Sequence, residues 1–167
     1  MKFVVIGGDA AGMSAASKAK RNKPDLDVTV LEATSDVSYS ACGMPYNIAV
    51  PERSLDDLVV RKADVFKSKQ GIDLRLGHTA TSIDRDGKLV RGISCEGKEF
   101  DLPYDKLLIA TGARAIKPQI PGLNLPGVHV LKSLQDGRNI KQDLASRDVK
   151  NALIVGMGYI GLEMAEA

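Results

Sequence analysis

Apolar residues recur along this chain in short continuous or alternating runs, broken by glycine and proline, and by two longer helical stretches. Lys2 to Ile6 is a β-branched run that stops at Gly7, and an Ala-rich segment, Met13 to Asn22, follows Gly12, so the order reads strand, glycine turn, helix. Pro24 ends that helix, and Asp27 to Leu31 predicts a second strand. Ser54 to Val60 reads as a turn and a short apolar run, and Lys62 to Gln70 as a helix stopped by Gly71. From Ile72 to Ala110 the runs shorten and alternate around Asp86-Gly87 and Glu96-Gly97, which predicts an antiparallel meander inserted in the α/β pattern. Lys106 to Ala110 is an unbroken apolar strand, expected to be buried on both faces. Pro118, Pro121 and Pro126, with Gly122 and Gly127, predict an extended crossing segment. Val128 to Leu131 predicts a further strand, Ser133 the cap of a helix reaching about Ser146 with Gly137 weakening its interior, and Ala152 to Val155 a last strand.

The first helix opens on Gly7-Gly8-Asp9-Ala10-Ala11-Gly12, and Glu32 stands at the end of the second strand, twenty residues beyond Gly12. In a dinucleotide-binding fold the first glycine of such a turn permits the tight bend, and the last lets helix pack on strand. The helix N-terminus receives a pyrophosphate, and the acid takes a ribose hydroxyl. Asp9 replaces the middle glycine, and a purely structural glycine turn is the competing reading. The pattern then returns complete in Gly156-Met157-Gly158-Tyr159-Ile160-Gly161, and a shift of 149 positions superimposes Gly7, Asp9 and Gly12 on Gly156, Gly158 and Gly161. Two nucleotide motifs imply electrons passed between two carriers. The chain ends within the second helix, before the acid expected about twenty residues after Gly161.

Composition narrows the partners. With 167 residues, 44% hydrophobic and 26% charged, the chain can bury a core. A net charge of +2 without a basic block gives no case for nucleic acid, and the run Phe3 to Ile6 is too short for a signal peptide or a membrane span, so a cytoplasmic protein is expected. Cys42 and Cys95 form neither a disulfide framework nor a metal-type pair, and no metal site is expected. Cys95, in a turn-rich hairpin region, reads as structural, and His78 and His129 as hydrogen-bonded structural histidines. Ser14, Lys18 and Arg21 share one face of the first helix, which on sequence alone is a solvated face.

Cys42 is the candidate for chemistry. It lies in Ser38-Tyr39-Ser40-Ala41-Cys42-Gly43-Met44-Pro45, among small and hydroxyl side chains, with Pro45 suited to a first helical turn. A buried, inert cysteine is the competing reading. A thiol attacks only as thiolate, and lowering a thiol pKa from about 8.5 to about 6.5 requires about 2.7 kcal/mol. A helix N-terminus supplies at most about 2 kcal/mol, so a redox thiol here needs a second electron-poor or cationic neighbour.

With both glycine motifs, the Cys42 segment and the strand end Thr111-Gly112 in this order, the whole chain resembles the N-terminal part of the FAD-dependent pyridine nucleotide-disulfide oxidoreductases. More narrowly it is similar to their single-cysteine branch, which holds coenzyme A disulfide reductases, persulfide or polysulfide reductases, NADH oxidases and peroxidases. The resemblance implies an α/β FAD/NAD(P)-binding three-layer fold of parallel sheet, helices and antiparallel β-meander, here truncated. Residues 1–148 would be the FAD-binding domain, with the meander at about 72–104, and 149–167 the start of the NAD(P)H-binding domain. Gly7, Gly8, Asp9, Ala10, Ala11 and Gly12 would hold the FAD pyrophosphate, Glu32 the adenosine ribose, Thr79 and Ala80 the adenine region, and Ala110, Thr111 and Gly112 the loop beside the cofactor, with Ala33 a further cofactor-binding residue.

Cys42 would face the isoalloxazine ring, the electron-poor neighbour its chemistry needs. Gly156, Gly158, Tyr159, Ile160 and Gly161 would open the NAD(P)H site, with Tyr159 either covering the flavin or simply packing. Ser14, Lys18, Arg21, Ser38 and Lys69 match coenzyme A positions of the coenzyme A disulfide reductases, although Ala41 stands where the family usually has Asn. The implied activity is NAD(P)H-dependent reduction of a coenzyme A disulfide, persulfide or polysulfide through Cys42, in a full-length homodimer. Two alternatives stand beside it. One is an NADH oxidase or peroxidase using cysteine sulfenic acid, against which Ala10 and Ala11 stand where those members carry a histidine. The other is that the 167 residues are an inactive nucleotide-binding fragment.

Overall fold

A computed structural model describes residues 1–167 and divides into two compact units, residues 1–39 with 59–112, and residues 40–58 with 113–167. In the first unit the β-branched run forms β1 (Lys2–Ile6), the Ala-rich segment α1 (Ala10–Asn22), and the second apolar run β2 (Asp27–Glu32). Helix α3 (Ala63–Gln70) ends where Gly71 takes a left-handed conformation at φ +62°, the expected glycine stop. The second unit contains α2 (Met44–Ile48), α4 (Leu134–Ser146) and α5 (Tyr159–Glu166).

Strands β3 (Asp73–Leu76), β2, β1 and β7 (Lys106–Ile109) make a parallel sheet in that spatial order. Strands β4 (Thr79–Asp84), β5 (Leu89–Ile93) and β6 (Glu99–Pro103) make the antiparallel meander. Side-chain alternation along β1 builds three layers. Val5 joins Val28, Val30 and Leu74 against Met13, Ala16 and Phe66 of the helices, while Val4 and Ile6 join Leu31 against Val90, Phe100 and Leu102 of the meander. The α/β three-layer expectation is therefore met.

Four local expectations are corrected. The meander begins at Thr79, because Asp73–Leu76 pairs parallel with β2 and belongs to the other sheet. Strand β7 is not buried on both faces: Lys106 and Ile109 are exposed, Ile109 to 60%. Val128 to Leu131 and Ala152 to Val155 are irregular, with no ladder partner to complete their backbone hydrogen bonds, and Leu153 and Val155 are about nine-tenths exposed. Cys95 is exposed and lies where expected, in the turn-rich hairpin region, between β5 and β6. The histidines behave as expected: Nδ1 of His78 lies 2.8 Å from the carbonyl oxygen of Leu76, and Nε2 of His129 lies 2.7 Å from Oδ2 of Asp143.

The start of β7 is fastened to the start of β1 through one residue. The Lys2 amide donates to Oδ2 of Asp105 at 2.6 Å, and the Asp105 amide donates to the Lys2 carbonyl at 2.9 Å. That backbone donor, with the nearby N-terminal, Lys88 and Lys2 charges, holds the Asp105 carboxyl below its ordinary value of 3.8. A depressed folded-state pKa stabilises the fold above the unfolded value, and the contribution is lost as pH falls through the folded one. Asp105→Asn is expected to reduce the loss of stability on acidification below pH 3.8, measured by urea unfolding at several pH values.

Candidate functional site

The carboxyl ends of β1, β2 and β7 lie side by side in register, Ile6 opposite both Leu31 and Ile109. Gly7 turns away from that edge at φ +110°, a backbone conformation open to glycine, and a Cβ there would occupy the position of the Ala110 carbonyl oxygen. A Cβ on Gly12 would likewise collide with the carbonyl oxygen of Gly7, so the first turn of α1 can approach the strand only without side chains at both positions. The second motif repeats this geometry. Gly156 has φ +109°, and a Cβ on Gly161 would collide with the Gly156 carbonyl oxygen.

Asp9 occupies the N-cap of α1, yet its side chain makes no capping hydrogen bond. Its Oδ1 accepts the Tyr39 amide at 3.2 Å, while the Gly8 carbonyl accepts the Ser38 amide at 3.2 Å. Ser38 itself sits at φ +50°, a conformation costing a non-glycine residue about 1–2 kcal/mol and sustained by these bonds and by the Val60 amide on its carbonyl at 2.8 Å. Gly158, the counterpart of Asp9, shapes the same turn without a carboxylate, so Asp9 is not needed for the bend; it fastens Tyr39.

Glu32 is more occupied than the sequence suggests. Its Oε2 accepts the Gly8 amide at 2.7 Å, and its Oε1 accepts both the amide and the hydroxyl of Thr34 at 2.8 and 2.7 Å. A carboxylate offers about four acceptor positions, so one on Oε2 remains for a ribose hydroxyl. The start of β4, with Thr79 and Ala80, is fixed beside this edge by the His78 amide donating to the Glu32 carbonyl at 2.9 Å.

The first unit therefore gathers Gly7–Gly12, Glu32, Thr79, Ala80 and Ala110–Gly112 at one end of the parallel sheet. A side-chain-free turn, an α1 N-terminus not capped by its own N-cap residue, and an acid with an acceptor position left fit a dinucleotide there. Ala33 is exposed just beyond β2. Ser14, Lys18 and Arg21 are exposed on α1 and Lys69 on α3, and the three cations form no ion pair or hydrogen bond in the chain. Ser38 is half-buried.

Cys42 and the second glycine motif belong to the other unit. Cys42 is an exposed free thiol in a 3-10 turn, Ala41–Gly43, that runs directly into α2, where Pro45 occupies the first turn. Within these 167 residues the thiol is not buried. Tyr159 is 89% exposed and Ile160 54%. Helix α2 contacts α5 and α4, and Gly137 of α4, which costs helix propensity, leaves room for Leu55 and for Met44 of α2.

Sequence reasoning passed over Thr34, Asn47 and Lys141. Thr34 follows Glu32 by two residues and could have been read as a turn partner, whereas Lys141 bonds residues 88 to 94 positions away and left no local signal.

A three-layer fold with a glycine turn and acid at the carboxyl end of its parallel sheet, and a second such turn later in the chain, defines a dinucleotide-binding oxidoreductase class. Comparison with known proteins makes this specific: the pyridine nucleotide-disulphide oxidoreductase family model matches residues 1–167, and the chain belongs to that family, whose cofactors are FAD and NAD(P)H. It is 43% identical over 169 residues to an NAD(P)H coenzyme A polysulfide/persulfide reductase of Pyrococcus horikoshii, covering 99% of this chain and 36% of the relative. It is 33% identical over 165 residues to an NADH oxidase of Methanocaldococcus jannaschii, covering 99% of this chain and 37% of the relative. Among solved structures, an NAD-dependent persulfide reductase from A. fulgidus superposes with a TM-score of 0.93 at 40% identity, covering 99% of this chain and 31% of that one. The chain thus spans little more than a third of the length of its curated relatives.

Gly12→Ala is expected to destabilise the first unit by about 1–3 kcal/mol, read by urea unfolding, because the new methyl group would displace the Gly7 carbonyl. Asp9→Gly, which matches the second motif, is expected to keep the turn while speeding amide exchange at Tyr39 about tenfold or more, read by hydrogen exchange.

Proposed function

We propose that the enzyme carrying this chain is an FAD-dependent NAD(P)H oxidoreductase that reduces a sulfur–sulfur bond, in a coenzyme A disulfide, persulfide or polysulfide, at Cys42. The observation that carries this reading is the exposed free thiol of Cys42, without a disulfide partner, on the helical turn leading into α2. The 43% identical relative named for coenzyme A, polysulfide and persulfide supports it.

In this reading the Gly7–Gly12 turn and the α1 N-terminus hold the pyrophosphate of FAD, Glu32 with Ala33 the ribose region, and Gly156–Gly161 opens the NAD(P)H site. Bound FAD supplies an electron pair drawn from NAD(P)H. The Cys42 thiolate attacks one sulfur of the substrate, the sulfur–sulfur bond breaks, and the far half leaves as a thiolate or sulfide. Cys42 keeps the near half as a mixed disulfide or persulfide. Two electrons and a proton then return Cys42 to thiolate and release the near half as a thiol or hydrosulfide. Lys18, Arg21 and Lys69, cations without partners in the chain, suit the phosphates of coenzyme A, and Ser14 and Ser38 add hydroxyls. The domain boundary at 148/149, a homodimeric enzyme and a cytoplasmic location belong to the same proposal; no helix is long and apolar enough to cross a membrane.

The Methanocaldococcus jannaschii relative named NADH oxidase favours a second reading, in which Cys42 is oxidised by a peroxide to sulfenic acid with release of water. Cys42→Ser decides the matter. Coenzyme A disulfide and polysulfide reduction per bound flavin are expected to fall about a thousandfold or more. Undiminished turnover of both acceptors overturns the proposal, and peroxide consumption by the unsubstituted enzyme without sulfur turnover selects the second reading.

A further inference from the structure

We propose that Lys141 is a positioning residue for Cys42, acting through Asn47 and the loop after α2; the inference rests on the reading of Cys42 as the redox centre. Helix α2 has only five residues, too few to hold itself, and the 3-10 turn bearing Cys42 continues straight into it, with the Met44 amide donating to the Ala41 carbonyl. The Cys42 sulfur therefore sits where α2 sits. The carbonyl end of α2 and the following loop are gripped by one ammonium group.

Nζ of Lys141, on α4, donates to the carbonyl oxygens of Arg53 at 2.6 Å, Val50 at 2.7 Å and Asn47 at 3.0 Å, with Oδ1 of Asn47 at 3.3 Å. An ammonium has three N–H donors, and here three backbone carbonyls use them. No carboxylate competes for the charge, so the bonds serve the path of the chain. Asn47, buried to 3% exposure, completes the grip by donating Nδ2 to the Ser54 carbonyl at 2.8 Å. Helix α4 is itself well fixed. Ser133 closes a capping box with Asp136 at its N-terminus, and Arg138 reaches Asp56 at 2.7 Å.

Removing the ammonium leaves carbonyls in the 47–53 segment without their shared donor, and loosens the segment that carries the thiol more than it loosens the parallel sheet. Lys141→Met keeps the aliphatic stem and removes the donors. In the complete flavin-loaded enzyme, hydrogen exchange over residues 42–53 is expected to quicken about tenfold or more while exchange over residues 2–22 is unchanged. The kcat for coenzyme A disulfide per bound flavin is expected to fall about tenfold, with the KM for NAD(P)H within about twofold. Lys141→Arg, which restores charge and donors, is expected to recover part of both effects. Unchanged exchange over 42–53 overturns the proposal, as does exchange rising equally in both segments with kcat and stability falling together. If Lys141→Met does not fold, Lys141→Gln is read by the same two segments, with about threefold faster exchange confined to 42–53 expected and a uniform or absent change overturning it. The exchange measurement does not use the sulfur chemistry, so a failed role for Cys42, seen in Cys42→Ser, is told apart from a failed role for Lys141.

Discussion

The first unit depends on a contact between bare backbones: the Gly12 Cα against the carbonyl of Gly7, beside the carbonyl of Ala110. Side chains at Gly7 or Gly12 would push α1 off the end of β1. Because they are absent, the helix starts directly over the carboxyl edge of the sheet. Its N-terminal partial positive charge points where a phosphate can be received. The acid, the start of the meander and the end of β7 are then fixed around the same edge by ladder register and by the bonds of Gly8 and His78 to Glu32.

The repeated turn offers an internal control on what that geometry requires. Gly156 and Gly161 reproduce the conformation and the close approach of Gly7 and Gly12, although no strand ladder precedes Gly156. The bend is therefore encoded locally, by glycine at the first and last positions. The middle position is free to vary, glycine in one copy and Asp9 in the other, and in the first copy the freedom is used to fasten Tyr39. The strand before the turn is different in kind: Ala152 to Val155 has the right residues and remains irregular, because a strand is completed by its neighbours.

In the second unit a short helix is held from outside. Pro45 gives α2 a favourable start, but five residues cannot stabilise a helix alone, so α4 supplies close packing at Gly137 and hydrogen bonds from Lys141. Gly137, which looks in the sequence like a weak point of a helix, is a place where that helix meets Leu55 and Met44. The propensity cost of about 1 kcal/mol is offset by contact that a larger residue would obstruct.

Elements governed by nearest neighbours were legible without coordinates: the glycine turns, the Gly71 stop, the Ser133 cap, the meander hairpins at Asp86-Gly87 and Glu96-Gly97, and the reach of α1 and α4. Their physical causes lie within a few residues, in φ restrictions, capping and periodicity. Whether an apolar run becomes a strand, and which sheet Asp73–Leu76 joins, were settled by pairing between distant segments. The sequence likewise marked Cys42 by its small and hydroxyl neighbours, but its exposure, the three donors on Glu32, the Asp9 tie to Tyr39 and the Lys141 grip on residues 47–53 exist only once the chain is folded. Hydrogen bonds across 24 to 94 residues carry no periodic trace in the chain, so only tertiary structure could reveal them.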